Sequence, residues 1–272
     1  MPILIIAAVS VSLTLSVPAN SATKVTTVSQ MLSALSVKPE VTGTYSASKF
    51  NFWIDADNDS CNTRKEVLIA ESLTKVTTGS SCKILSGTWK SSYDGILTTD
   101  SSTFDIDHFI PRKEAWESGA FRWNTATRTA FANDLGFDGS LVAVSATSNR
   151  SKGDRDPQNW MPEDKKFYCT YVANWIAVKY RWSLAVDSSE KTFLSSQVKK
   201  CGKAAKSPIP SKVKIVLGSN SNPVVTTNHS GLDPIFGSCK AAKSAGYGPY
   251  RSGVDEEYKY YRDGDKDGIA CE

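Results

Sequence analysis

Apolar residues recur at helical spacing in VSQMLSAL (28–35) and RKEVLIAESLTKV (64–76), and alternate with polar ones in SCKILSGTWKS (81–91) and STFDIDHFI (102–110). The first two predict helices and the second two strands, because one face repeats every 3.6 residues in a helix and every two in a strand. WNTATRTAFANDLGF (123–137) predicts a helix closed by Gly136, and SLVAVSATSNRSKGD (140–154) a short strand entering a polar loop. FYCTYVANWIAVKYRWSLAV (167–186) and SSEKTFLSSQVKKC (188–201) predict two more helices, the second opening on a Ser and Glu capping pattern. The sum is an α+β body with strands in the middle and helices around them. Its aromatic run, Trp160, Phe167, Tyr168, Tyr171, Trp175, Tyr180 and Trp182, is expected to be helical core rather than a base-stacking surface.

The ends of the chain follow other patterns. Residues 3–17, ILIIAAVSVSLTLSV, form an uncharged run too short to span a bilayer and lead into small residues. Residues 1–22 therefore read as a secretory signal peptide, although the usual preceding Lys or Arg is missing. Nothing later resembles a stop-transfer segment, so the mature chain is expected to lack a transmembrane segment and to be secreted. A body over 23–206 is followed by the Pro-, Ser- and Asn-rich stretch 207–232, which is expected to be a flexible linker. The last piece, 233–272, is too small to fold on an apolar core alone and needs a staple or a metal.

Six cysteines in an exported chain point to disulfides. The spacing favours local closure, Cys61 with Cys82, Cys169 with Cys201 and Cys239 with Cys271, each loop contributing roughly 3 kcal/mol. A 40% hydrophobic composition with mean hydropathy −0.29 excludes global disorder and a multi-span membrane protein. The net charge of +4 permits a nucleic-acid partner without arguing for one.

The chemistry concentrates in two segments. FDIDHFIP (104–111) carries Asp107 beside His108, the one histidine of the body, so any histidine-based proton transfer there must use His108. SATSNRSKGDRDP (145–157) offers the amide of Asn149, the carboxylate of Asp154 and the cations Arg150, Lys152 and Arg155.

Together these segments resemble the HNH (ββα-metal) endonucleases, specifically exported bacterial proteins with an H-x-x-P signature. The resemblance extends through FNFWIDADNDSCNTRKEVL, SGTW, AWESGA, FANDL and LVAVSATSNRSKGDRDPQNW to Cys169 and Cys201, nearly all of residues 45–201. It implies a ββα-metal core made of the 104–111 strand, the 141–152 strand and loop, and a following helix near 162. It further implies hydrolysis of DNA or RNA phosphodiesters, with nucleic acid as the partner; a net charge of +4 without a separate reader domain makes cleavage without sequence preference the expectation. His108 would be the general base, and Asp107 and Asn149 would hold one Mg2+ or Mn2+, with Asp154 in reserve. Hard oxygen ligands of this kind suit such an ion. Arg150, Lys152 and Arg112 would contact phosphate, with Arg155 and Arg64 as further candidates. Ser140 stands where many HNH proteins carry a structural Asn, so the orientation of the base must come from elsewhere; Asn133 and Asp134 are given no chemistry.

At the C-terminus, Asp263, Asp265, Asp267 and Gly268 follow the first half of a calcium loop, and Glu272 stands at the tenth position. With Cys239, Tyr250, Arg251 and Cys271, this ending resembles the excalibur domain of bacterial surface proteins. That likeness implies Ca2+ on Asp263, Asp265, Asp267 and Glu272, and association with the cell wall. A second cluster, Asp55, Asp57 and Asp59 with Glu66 at the twelfth place, has Ser60 at the glycine position. The alternative to a nuclease is a noncatalytic calcium-binding surface protein with a degenerate HNH-like body.

Overall fold

The computed structural model describes residues 25–218, 235–244, 247, 250–253, 256–264, 266 and 268–271. The expected signal peptide, the larger part of the expected linker, and Asp265, Asp267 and Glu272 lie outside the described residues.

In the body the helices are α1 (Val28–Ser33), α2 (Thr63–Glu71), α3 (Arg112–Glu117), α4 (Thr125–Ala132), α5 (Ala146–Lys152), α6 (Tyr168–Arg181) and α7 (Ser188–Cys201). The strands are the antiparallel pairs β1 (Thr77–Thr78) with β2 (Ile84–Ser86), β3 (Trp89–Lys90) with β4 (Leu97–Thr98), and β5 (Phe104–His108) with β6 (Leu141–Ser145). The last pair is central, in the register Asp105↔Val144, Asp107↔Val142 and His108↔Leu141.

Strand alternation gives the two faces of β5 different work. Phe104 and Ile106 join Leu141, Ala143, Trp89 and the α2 residues Val67 and Leu68 in one apolar cluster. Asp105 and Asp107 point to the other face, where both reach side chains of α5. A larger core, built on Tyr171, Val172, Trp175 and Ile176 of α6, receives α1, α3 and α7. The aromatic run is therefore core at Tyr171, Trp175 and Trp182, all fully buried.

Several expected boundaries move. The segment after β6 is helix α5 rather than a polar loop, because Ser145 caps it by accepting the Ser148 N–H (3.2 Å) and Gly153, at φ 56°, ends it. No helix forms near residue 162; a 3-10 turn at Lys165–Phe167 leads into α6. Helix α4 stops at Ala132, with Asn133 as its C-cap, before the expected Gly136. Helix α7 is capped by Asp187, which accepts the N–H groups of Ser189 and Glu190, and Glu190 turns inward instead. Residues 207–218 are not free linker. Backbone bonds from Val213 to Arg181 and between Asn124 and Val216, both 2.9 Å, lay them along the body as an extended strap. The three disulfides pair Cys61–Cys82, Cys169–Cys201 and Cys239–Cys271.

A buried ionic cluster joins α3, α6 and α7. The Lys179 ammonium, fully buried, donates to Glu114 Oε1 (2.6 Å), Glu190 Oε2 (2.7 Å) and Ser118 Oγ (3.0 Å). Glu40, on the segment entering α3's neighbourhood, bonds to Glu114, and burial together with the Glu114 charge pushes its carboxyl up to about 8. The folded chain thus holds this proton more tightly than the unfolded one. The resulting stability is present below about pH 4.5 and is lost as the pH rises through 8. The urea midpoint is therefore expected to fall between about pH 5 and 9, less steeply in Glu40→Gln; equal slopes would contradict this assignment.

The C-terminal piece has its own small core of Ala242, Tyr250 and Cys271, with α8 (Cys239–Ser244) and the antiparallel pair β7 (Tyr250–Arg251) and β8 (Ile269–Ala270). The rings of Tyr250 and Tyr261 stack at 5.0 Å. A core this size needs its disulfide.

Candidate active site

The end of β5, the start of α3 and helix α5 enclose a cleft of about 400 Å3 lined by Phe52, Trp53, Arg64, Asp105, Ile106, Asp107, His108, Pro111, Arg112, Asn149, Arg150, Gly153 and Asp154. His108 is 9% exposed, and its Nε2 lies 2.9 Å from the carbonyl oxygen of Ala132. A carbonyl can only accept, so Nε2 carries the proton and Nδ1 keeps its lone pair. Burial, reinforced by the Arg112 guanidinium, holds the ring down at about 3, so it is neutral at pH 7. Trp53 stacks on the ring at 5.3 Å and 26°. The orientation of the ring thus comes from the end of α4 and from Trp53. Ser140 has a separate task, donating to Asp134 Oδ2 at 2.6 Å.

Asp107 is buried, and its oxygens accept from Lys152 Nζ at 2.9 and 2.6 Å and from the Tyr93 hydroxyl at 2.5 Å. Lys152 is fully buried and also donates to the His108 carbonyl oxygen at 3.1 Å. The expected phosphate contact at Lys152 is therefore corrected: a cation sealed against Asp107 has no surface to offer a phosphate. Burial pushes Asp107 up and Lys152 down, and each charge counters that push on the other.

Asn149 stands on α5, one turn from Lys152, and donates from Nδ2 to Asp105 Oδ2 at 3.2 Å. Arg150, with its side chain 77% exposed, approaches the same oxygen at 3.6 Å. Asp105 thus joins the site although the sequence reading passed over it; strand alternation, which puts residues 105 and 107 on one face, was the available signal. Tyr93 gave no comparable signal. Arg112 lies 3.9 Å over the Phe52 ring, with a buried Nη1 that has no hydrogen-bond partner among the described residues. Arg64 lines the cleft while donating to the carbonyl oxygens of Phe104 (2.7 Å) and Ser101 (3.2 Å). Arg155 turns back to the Lys152 carbonyl at 3.2 Å and does not line the cleft.

The donor set fits a hard divalent cation. Asp107 Oδ1 accepts one bond, from Lys152, which leaves it a second lone pair, and neither Asp105 Oδ1 nor Asn149 Oδ1 has a hydrogen-bond donor among the described residues.

Two acidic loops lie outside the cleft. Gly268, at φ 91°, donates its N–H to Asp263 Oδ2 at 2.9 Å. In the other loop Ser60, at φ 76°, takes the left-handed conformation of the expected glycine and donates to Asp55 Oδ2 at 3.0 Å.

Residues 62–197 match the family model of GmrSD restriction endonucleases, C-terminal domain, and the chain belongs to that family. Residues 236–272 match the Excalibur calcium-binding domain, so the small C-terminal piece is a domain of that kind. Over 176 residues the chain is 42% identical to an "Uncharacterized secreted protein" of the fungus Arthroderma benhamiae, covering 64% of this chain and 85% of the relative. Like that relative, the chain is a secreted protein, and no helix among the described residues is long and apolar enough to cross a membrane. The relative is fungal, whereas the sequence resemblance pointed to bacterial proteins. No solved structure matches the chain.

Proposed function

We propose that the chain is a secreted, divalent-cation-dependent endonuclease of the HNH (ββα-metal) type. The observation that carries this reading is the cleft that joins a histidine with a free Nδ1 lone pair to a carboxylate and amide set suited to a hard cation. The β5, β6 and α5 succession supports it, since two antiparallel strands and a helix bring these groups together. The matched family, named for restriction endonucleases, supports a nucleic-acid substrate.

His108 Nδ1 takes the proton of the attacking water, and the Nε2 bond to Ala132 holds the ring as it becomes cationic. Burial is the larger cause of the ring's low proton affinity, and an anionic phosphodiester beside Arg112 offsets the second, the positive neighbour. Asp105, Asp107 and Asn149 would hold the Mg2+ or Mn2+, which supplies charge neutralisation at the phosphate and the leaving oxygen. Arg150 and Arg112, which line the cleft, meet the sugar-phosphate backbone, so the contacts are to phosphate rather than base.

Hydrolysis of bis-p-nitrophenyl phosphate tests the chemistry without assuming a nucleic acid. Turnover is expected with Mg2+ or Mn2+ and none with EDTA; equal turnover in EDTA would overturn the metal assignment. For the C-terminal domain, millimolar Ca2+ is expected to raise its melting temperature, and Asp263→Asn to remove the increase. An unchanged melt would contradict calcium on that loop.

A further inference from the structure

Asn133 sits at the C-cap of α4, next to the residue whose carbonyl holds the candidate base, and its side chain is fully engaged. Oδ1 accepts from the Ile54 N–H (3.1 Å) and the Thr63 hydroxyl (2.8 Å), while Nδ2 donates to the carbonyl oxygens of Asn51 (2.9 Å) and Thr129 (2.8 Å). The partners fix which end is which, since a backbone N–H only donates and a carbonyl only accepts. An amide is the group that meets two donors and two acceptors at once.

The bonds to Asn51 and Ile54 bracket Phe52 and Trp53. Trp53 has φ 57°, a left-handed conformation that is an outlier for a bulky residue and persists only where its surroundings enforce it. In that conformation its ring stacks on His108, and the Phe52 ring meets His108 edge-on at 6.2 Å. The bond to Thr129 ties the same clamp to the helix end that presents the Ala132 carbonyl to Nε2. Both constraints on the imidazole, the stacked wall and the carbonyl, therefore meet at one side chain.

We propose that Asn133 is a positioning residue: it fixes the ring plane and the Nε2–H tautomer of His108 by clamping the 51–54 segment to the end of α4. The consequence for rate rests on the nuclease reading above; the consequence for the tautomer does not.

The test is 15N NMR of histidine-labelled full-length chain at neutral pH, with cleavage kinetics in parallel. The wild type is expected to show His108 as a single Nε2–H tautomer. Asn133→Ala is expected to show a tautomer mixture, with kcat lowered about 10- to 100-fold and KM changed less than about 3-fold. Asn133→Asp keeps the acceptor and loses both donors; it is expected to fall between the two and serves if the alanine variant does not fold. Asn124→Ala removes the N-cap of the same helix, where Asn124 Oδ1 accepts the Thr127 N–H at 2.8 Å, and should lower the melting temperature without moving tautomer or kcat. A single Nε2–H tautomer in Asn133→Ala, or an equal change in Asn124→Ala, would overturn the proposal. If the wild type cleaves nothing, the nuclease reading fails while the tautomer still decides this one.

Discussion

Replacing Lys152 with Met is expected to lower the unfolding free energy by about 3–5 kcal/mol, the cost of leaving one partner of a buried ion pair uncompensated. Asp107, 5% exposed at the wall of the cleft, would keep only the Tyr93 hydroxyl as a side-chain partner. The double variant Lys152→Met with Asp107→Leu should recover much of that loss, because removing both charges also removes their desolvation cost. A lysine that served as a surface phosphate contact would behave differently. Its loss would change stability by about 0.5 kcal/mol or less and weaken substrate binding instead. Urea unfolding of the single and double variants separates the two cases; unchanged stability in Lys152→Met would mean that the buried pair does not form.

The second large effect is on rate. His108→Ala is expected to lower kcat by about 10²- to 10⁴-fold, the range that positioned proton transfer contributes, with KM little changed. Asn149→Ala should instead weaken cation binding, so that saturating Mn2+ or Mg2+ restores part of the lost activity. Steady-state kinetics across a cation titration tell the two apart. A His108→Ala chain with wild-type kcat would remove the imidazole from the mechanism, and restoration of that variant by excess cation would assign it to the metal set.

The sequence carried the central parts of the site because short-range pattern positions them. Asp107 and His108 end a strand whose alternation is written in FDIDHFI, and Asn149 follows a second strand by a few residues, so both segments could be found without knowing the tertiary arrangement. The same alternation placed Asp105 on the face of Asp107, although its pairing with Asn149 emerged only when α5 closed over β5.

What stayed hidden depends on contacts distant in the chain. Nothing local distinguishes a lysine that points to solvent from one that folds inward to an aspartate 45 positions earlier, so Lys152 looked like its exposed neighbour Arg150. Asn133 looked like an ordinary helix end because its partners at Asn51 and Ile54 lie 82 and 79 positions away. The strap over 207–218 had linker composition, yet its Pro and Lys residues are equally compatible with an extended segment whose backbone bonds to the body. Loop α5 failed as a loop because Ser145 and Gly153, both turn formers in sequence, are also a helix cap and a helix stop.

The most direct measurement incubates the secreted chain with supercoiled plasmid and, separately, with total RNA in Mg2+, beside EDTA and the His108→Ala variant. The account predicts nicking or degradation of at least one substrate by the wild type and none in either control. Intact plasmid and intact RNA with Mg2+, Mn2+ and Ca2+ alike would contradict it and leave the chain a calcium-binding protein whose cleft does no chemistry on nucleic acid.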